Sequence, residues 1–268
     1  MRKAGEKPKA GVIEPIQVGV FLSGSSPIQV DNRTWRFGLA QTESGQQAVF
    51  ACACDARVLF VQAVVSSLGR ALGLPVPPCY VLLANQETFP EWNQTGSFMI
   101  FACQAGPHPT MAAFARRLAE AADILTHGKR ETINRLIVLD EWASNGARDQ
   151  TALLVDTASG MQFIDHHPSL AITEDPADQM RNWVFEVAHT EMTELDARRL
   201  RNEMKDSAGK VFDLELGLLA DQAAGFGSAK ELEAWLQMLD FLSQRRHLLE
   251  ELFCQRLGIP EKQLALAP

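Results

Sequence analysis

The chain predicts an α+β fold in two lobes, a small β-rich N-terminal lobe with one helix and a larger helical C-terminal lobe. Three observations predict it. Short β-rich runs separated by small-residue turns fill residues 16–40, and a single helical pattern follows at 58–72. From residue 111 onward the chain turns helical. Between the halves, Gly106, Pro107 and Pro109 mark a natural boundary over residues 104–110. The expected division is a flexible arm over residues 1–12, the first lobe over 13–104 and the second over 105–268.

Composition bounds the function. A chain of 268 residues, 46% hydrophobic and 22% charged, can bury a sizeable core. Its net charge of −8 argues against direct nucleic-acid binding, because a phosphate-binding surface needs a basic patch that this composition does not supply. The longest apolar region, residues 48–68, is interrupted by Asp55, Arg57 and Gln62, so no membrane role is expected. Residues 1–10 are basic and then polar, without the apolar segment of a signal peptide, and the expected location is cytoplasmic. Five cysteines, odd in number and scattered, fit reduced thiols in packing roles.

In order, residues 16–22, 28–30 and 34–40 read as strands, with Gly24, Ser25 and Ser26 in the first turn. Strand, small-residue turn, strand is the layout of a phosphate-covering loop and equally of an ordinary hairpin. Trp35, Phe37 and Leu39 alternate with Arg36 and Gly38, which puts the two sets on opposite faces of a strand. Apolar residues recur at helical spacing from Val58 to Leu72, and Gly73 closes the helix. Pro75, Pro77 and Pro78 then force an extended exit into a strand at 79–83. Residues 97–102 form another candidate strand. Helical patterns follow at 111–125, 133–143, 178–190, 193–205 and 211–220, and a Ser228-x-x-Glu231 capping box opens a last helix running to about residue 257.

Residues 139–170 are the stretch that carries chemistry. A helix end bearing Asp140 and Trp142 leads into a polar turn at 144–150, an apolar run at 152–155, a Ser-Gly turn and a second run that delivers Asp165 and His166. Two short strands with carboxylates at their loop ends suit a site for metal and phosphate, and suit equally a plain hairpin with solvated acids.

This stretch resembles the catalytic segment of the HipA-like kinases, a bacterial branch of the protein-kinase and lipid-kinase fold. That family's run D-x-x-x-x-N-x-D-R-x-x-x-N-L-L, followed by I-D-H, is matched by Asp140, Asn145, Arg148, Leu153, Leu154, Ile164, Asp165 and His166. Two positions depart. Ala147 stands where the family carries its catalytic Asp, and Ala152 where it carries a metal-holding Asn. An alanine methyl neither orients a nucleophile nor coordinates a cation. The phrase ALGLPVPPCYVLL over residues 71–83 is similar to the family's helix-to-strand passage. The resemblance implies a helix Glu paired with a strand Lys. Gln62 occupies the first place, and the strand at 34–40 would carry the second, at Gly38 or Leu39. Residues 10–128 contain no lysine, and Arg36 is the cation within that strand.

The resemblance therefore implies a kinase-like fold degenerate at its catalytic positions, acting as a regulatory or protein-binding module through a protein partner, with no cofactor required. The alternative it leaves is an atypical ATP-dependent protein kinase or phosphotransferase, retaining activity through Asp165 and Asp149. In that case Asp165 would hold magnesium, Asn145, Arg148 and Asp149 would line the catalytic turn, and Gly24, Ser25, Ser26 and Arg36 would meet the phosphates. A third expectation is a small-ligand sensor using the nucleotide cleft.

Overall fold

A computed structural model describes residues 11–30, 33–92, 94–105, 129–148, 153–156, 160–164, 166–170, 175–189, 192–223, 225 and 229–259. The described residues of the first half form six strands and one helix: β1 (Gln17–Gly24), β2 (Ile28–Val30), β3 (Arg33–Thr42), β4 (Gly45–Cys52), α1 (Ala56–Ala71), β5 (Cys79–Asn85) and β6 (Ser97–Gln104). The second half holds α2 (Arg130–Trp142), the hairpin β7 (Leu153–Asp156) and β8 (Gly160–Phe163), then α3 (Trp183–Ala188), α4 (Glu194–Phe212), α5 (Gly217–Ala223) and α6 (Ala229–Leu257). The expected α+β class holds.

The layout of the first half differs from the expected small lobe. The sheet runs β1-β5-β6-β4-β3-β2, and β1 also pairs with β3, so five strands close into a barrel with β2 outside the ring. β1 lies parallel to β5 and antiparallel to β3. Two glycines allow the closure. A Cβ on Gly19 would strike the Gln41 carbonyl, and one on Gly38 would strike the Ser23 carbonyl and come within 2.5 Å of the Phe21 ring. Without side chains there, β1 and β3 approach closely enough to pair.

Alternation along the strands sorts residues into two cores. Phe21, Val49, Tyr80, Leu82, Phe98 and Ile100 fill the barrel together with Phe89 and several alanines. Trp35, Phe50, Cys52, Val81, Phe101 and Cys103 point the other way and join a second cluster with α1 and the C-terminal helices. This outer core is continuous from Ile13 to Phe253, so α1 is the shared wall of both halves.

β4 has no counterpart among the expected strands. Val49 and Ala51 face the barrel while Phe50 and Cys52 face α1, so both sides of the strand's second half are buried and no polar alternation marks it. β4, rather than the 34–40 strand, leads straight into α1.

Asp55 caps α1, its carboxylate accepting from the Val58 N–H at 2.8 Å. Gly73, at φ +75°, ends it. Gly69 lets α1 and α2 pack closely, since a Cβ there would lie 2.9 Å from Val76 and 3.1 Å from Leu139. The Phe60 ring stacks on Trp235 of α6 at 4.6 Å.

Three C-terminal spans depart from the sequence pattern. The helix expected at 178–190 shrinks to α3, because Asn182 caps the Phe185 N–H and the preceding residues are used as loop. α4 extends to Phe212 behind a Thr193–Asp196 capping box, and the pattern at 211–220 breaks before α5. The expected helix at 111–125 and residue Ser228 lie outside the described residues. Among the described residues no helix is long and apolar enough to cross a membrane.

Candidate functional site

The end of α2, the turn after it and the segment following β8 converge on α1. Arg148 Nε donates to both Asp140 carboxylate oxygens, at 2.8 and 2.6 Å, and its Nη2 lies 2.8 Å from His166 Nδ1. A guanidinium only donates, so Nδ1 accepts and the His166 proton sits on Nε2. Asn145 adds its backbone N–H to the Asp140 carbonyl at 2.8 Å. Asp140, Asn145, Arg148 and His166 are all buried. Burial pushes the Asp140 carboxyl up to about 6, against the opposing pull of Arg148.

Gln62, 1% exposed on α1, joins this group from the other side. Its Oε1 accepts the backbone N–H of His166 at 2.8 Å. Arg57, one and a half turns earlier, donates to the Ser169 and Leu170 carbonyls at 3.2 and 3.0 Å. The proline turn contributes as well, since Pro75 accepts from the Phe163 N–H at 3.0 Å. Leu170 then bonds the Ala143 carbonyl at 2.9 Å. Ser144 and Leu170 both take left-handed backbone angles, φ 50° and 58°, an uncommon conformation for side-chain-bearing residues. The segment is thus fixed from α1, α2 and the proline turn together.

Of the residues predicted from sequence, Asn145 and Arg148 meet in this network, and Ala147 lies exposed on the same turn. Asp149, Ala152 and Asp165 lie outside the described residues. Arg36 is not brought to the group. It shares the inward side of β3 with Gly38, and its Nε and Nη2 pair with Glu91 at 2.7 Å each. Its Nη1 donates to the Ser25 carbonyl at 2.8 Å, and the guanidinium lies over the Phe89 ring at 5.5 Å. The hydrogen bond with Arg36 holds the Glu91 carboxyl below the usual range. Gly24 closes β1 opposite Gly38, and the Ser25 N–H bonds the Phe37 carbonyl at 2.7 Å, so Gly24, Ser25 and exposed Ser26 form a β1–β2 turn tied to Arg36.

Gly38 faces the barrel interior, which removes it as a place for a cation aimed at α1; Leu39 points outward. On β4, the strand that leads into α1, the residues facing the helix are Phe50 and Cys52.

A second buried network escaped sequence reasoning. Glu141 pairs with Arg245 at 3.3 Å and with Arg256 at 2.7 Å, while Arg245 also donates to the carbonyls of Glu141, Pro176 and Asp178 at 2.6, 2.7 and 2.8 Å. The available signal was Arg245 itself, a charge set between Leu242 and Leu249 on an otherwise apolar stripe of α6.

Chemically, the described part of the site is a fixed ion pair and a set of backbone clamps. Among the described residues no group of three or more His, Cys, Asp or Glu is arranged to hold a metal.

The fold is kinase-like. The chain is similar in structure to the Helicobacter pylori proinflammatory kinase CtkA, with a TM-score of 0.50 and 11% identity over 87% of this chain and 97% of that one. No protein-family model matches the chain, and no curated protein matches it.

Proposed function

We propose that this chain is a catalytically degenerate, HipA-like kinase fold acting as a regulatory or protein-binding module in the cytoplasm. The barrel with α1 takes the part of the small lobe, and α2 to α6 that of the large one. One observation carries the proposal: the strand-to-helix charge pair of a kinase is replaced by hydrocarbon and a neutral amide. Phe50 and Cys52 face α1 from β4, and Gln62 is already engaged by the His166 N–H. With no lysine in residues 10–128, neither the barrel strands nor α1 offers an ammonium to nucleotide phosphates. Ala147 adds to this, since a methyl in the catalytic-turn position cannot accept a proton. A protein partner is supported by an apolar row on the barrel exterior, where exposed Val20, Leu83 and Met99 pair across β1, β5 and β6.

Thermal melting with ATP, with and without magnesium, tests the proposal. No magnesium-dependent rise is expected at sub-millimolar ATP. A rise abolished by Asp165→Ala, or turnover lost on Asp149→Asn, would overturn it in favour of an atypical phosphotransferase.

A further inference from the structure

Helices α4 and α6 line a cavity of about 210 Å³ that shares no lining residue with the Asp140 network. Its walls combine two chemistries. Phe212, Leu249 and Phe253 supply hydrocarbon, and Phe212 is 47% exposed at the mouth with its ring 5.5 Å from that of His247. Arg201, Lys205 and Arg246 supply three positive charges against the single carboxylate of Glu250. Glu250 is already shared, accepting from Arg201 at 2.9 Å and from Lys205 at 3.1 Å. In a protein of net charge −8, a cation excess around an apolar hollow is a local feature that composition does not predict.

Two further observations point to an occupant. The Nε of Arg201 and the Nε of Arg246 are both buried without an acceptor, and Arg201 is only 6% exposed. Guanidiniums that line a hollow form charge-assisted hydrogen bonds with an anion that enters it. Gly209 lines the same hollow from within α4, where a Cβ would meet nothing within 4 Å. Glycine is a poor helix former, and the space in front of this one is open, so the helix carries its weak point where the cavity needs room.

We propose that this cavity binds a small organic anion with an apolar body, a medium-chain or aryl carboxylate. Its headgroup lies toward Arg246 and Arg201, and its hydrocarbon lies against Phe212 and Phe253. The site is independent of the kinase-like cleft, so it stands or falls separately from the proposed function.

Titration calorimetry of the full chain with octanoate and 3-phenylpropionate, against octan-1-ol and octylamine, tests the proposal. The carboxylates are expected to bind on the order of tenfold or more tightly than the alcohol, the amine not measurably, because the headgroup contact is charge-assisted. Equal binding of octanoate and octanol, or no heat from either carboxylate at millimolar concentration, would overturn the proposal without any variant. Arg246→Gln should weaken octanoate on the order of tenfold. Gly209→Leu should abolish binding by filling the hollow while leaving the melting temperature unchanged or higher. Octanoate binding that survives Gly209→Leu in a folded protein would place the ligand elsewhere and overturn the assignment.

Discussion

The amide of Gln62 accepts the backbone N–H of His166 at 2.8 Å, joining α1 to the residue that also receives Arg148. Gln62→Leu should leave that N–H without its acceptor and cost about 1–3 kcal/mol in denaturant unfolding. Gln62→Glu keeps an acceptor but buries a carboxyl beside no lysine. Burial raises its pKa, so the glutamate variant should match the parent at acid pH and lose stability as pH rises through the raised value. An unchanged difference between pH 5 and pH 8 would show that the carboxylate finds a cation.

Arg148 and Asp140 should behave as a unit. Removing either partner alone, as Arg148→Met or Asp140→Leu, strands a charge in the interior and should cost about 3–5 kcal/mol. The double substitution removes both charges and should recover most of that loss, giving a coupling well above the ~0.5 kcal/mol expected of independent sites. Additive losses in a double-mutant cycle would mean that the pair is not held as tightly as 2.6 Å implies.

The pH dependence of the same pair has a definite sign. The Asp140 carboxyl is raised from 3.8 to about 6, so the native state binds the extra proton between those values. Its favourable contribution is full below about pH 4 and is lost as pH rises through about 6. The stability of the parent relative to Asp140→Asn should therefore decline between pH 4 and pH 6.5, by a few kcal/mol at most. A relative gain over that interval would reverse the direction of the shift.

Adding a lysine to β3 should separate the two available registers. Gly38→Lys drives a side chain into the Ser23 carbonyl and the Phe21 ring and should destabilise by about 3 kcal/mol or more, since backbone cannot yield. Leu39→Lys, on an outward and partly exposed position, should change stability by about 0.5 kcal/mol or less. Comparable melting temperatures for the two would contradict the closed barrel.

Legibility followed burial. Residues 58–72 announce α1 because apolar residues recur at helical spacing and a glycine and three prolines end it, and the 152–164 hairpin is visible from two short runs around a Ser-Gly turn. β4 is silent because both its faces are covered, one by Tyr80 and its neighbours in the barrel, the other by α1. Barrel closure depends on two glycines whose meaning is a contact between distant strands, which local pattern does not encode. At the site, the identity of Arg148 was readable from the motif, but its pairing with Asp140 and His166 required the fold. Arg36 looked available from sequence alone; Glu91, fifty-five positions later, takes its Nε and Nη2, and the Ser25 carbonyl takes Nη1.

The double pairing of β1 has a consequence for how the chain acquires its structure. Gln17 pairs with Tyr80 and Gly19 with Thr42, so the first strand has one neighbour close in sequence and another about sixty residues away. During synthesis β1 can join β3 early, yet its other side stays an open edge until β5 has emerged. Contacts of such long range are formed slowly, and until then the unpaired backbone of β1 is the adhesive edge, flanked by the Val18, Val20 and Leu22 row that stays exposed in the finished fold. The open edge of β1 is therefore a hazard of the nascent chain that ends once β5 has paired with it.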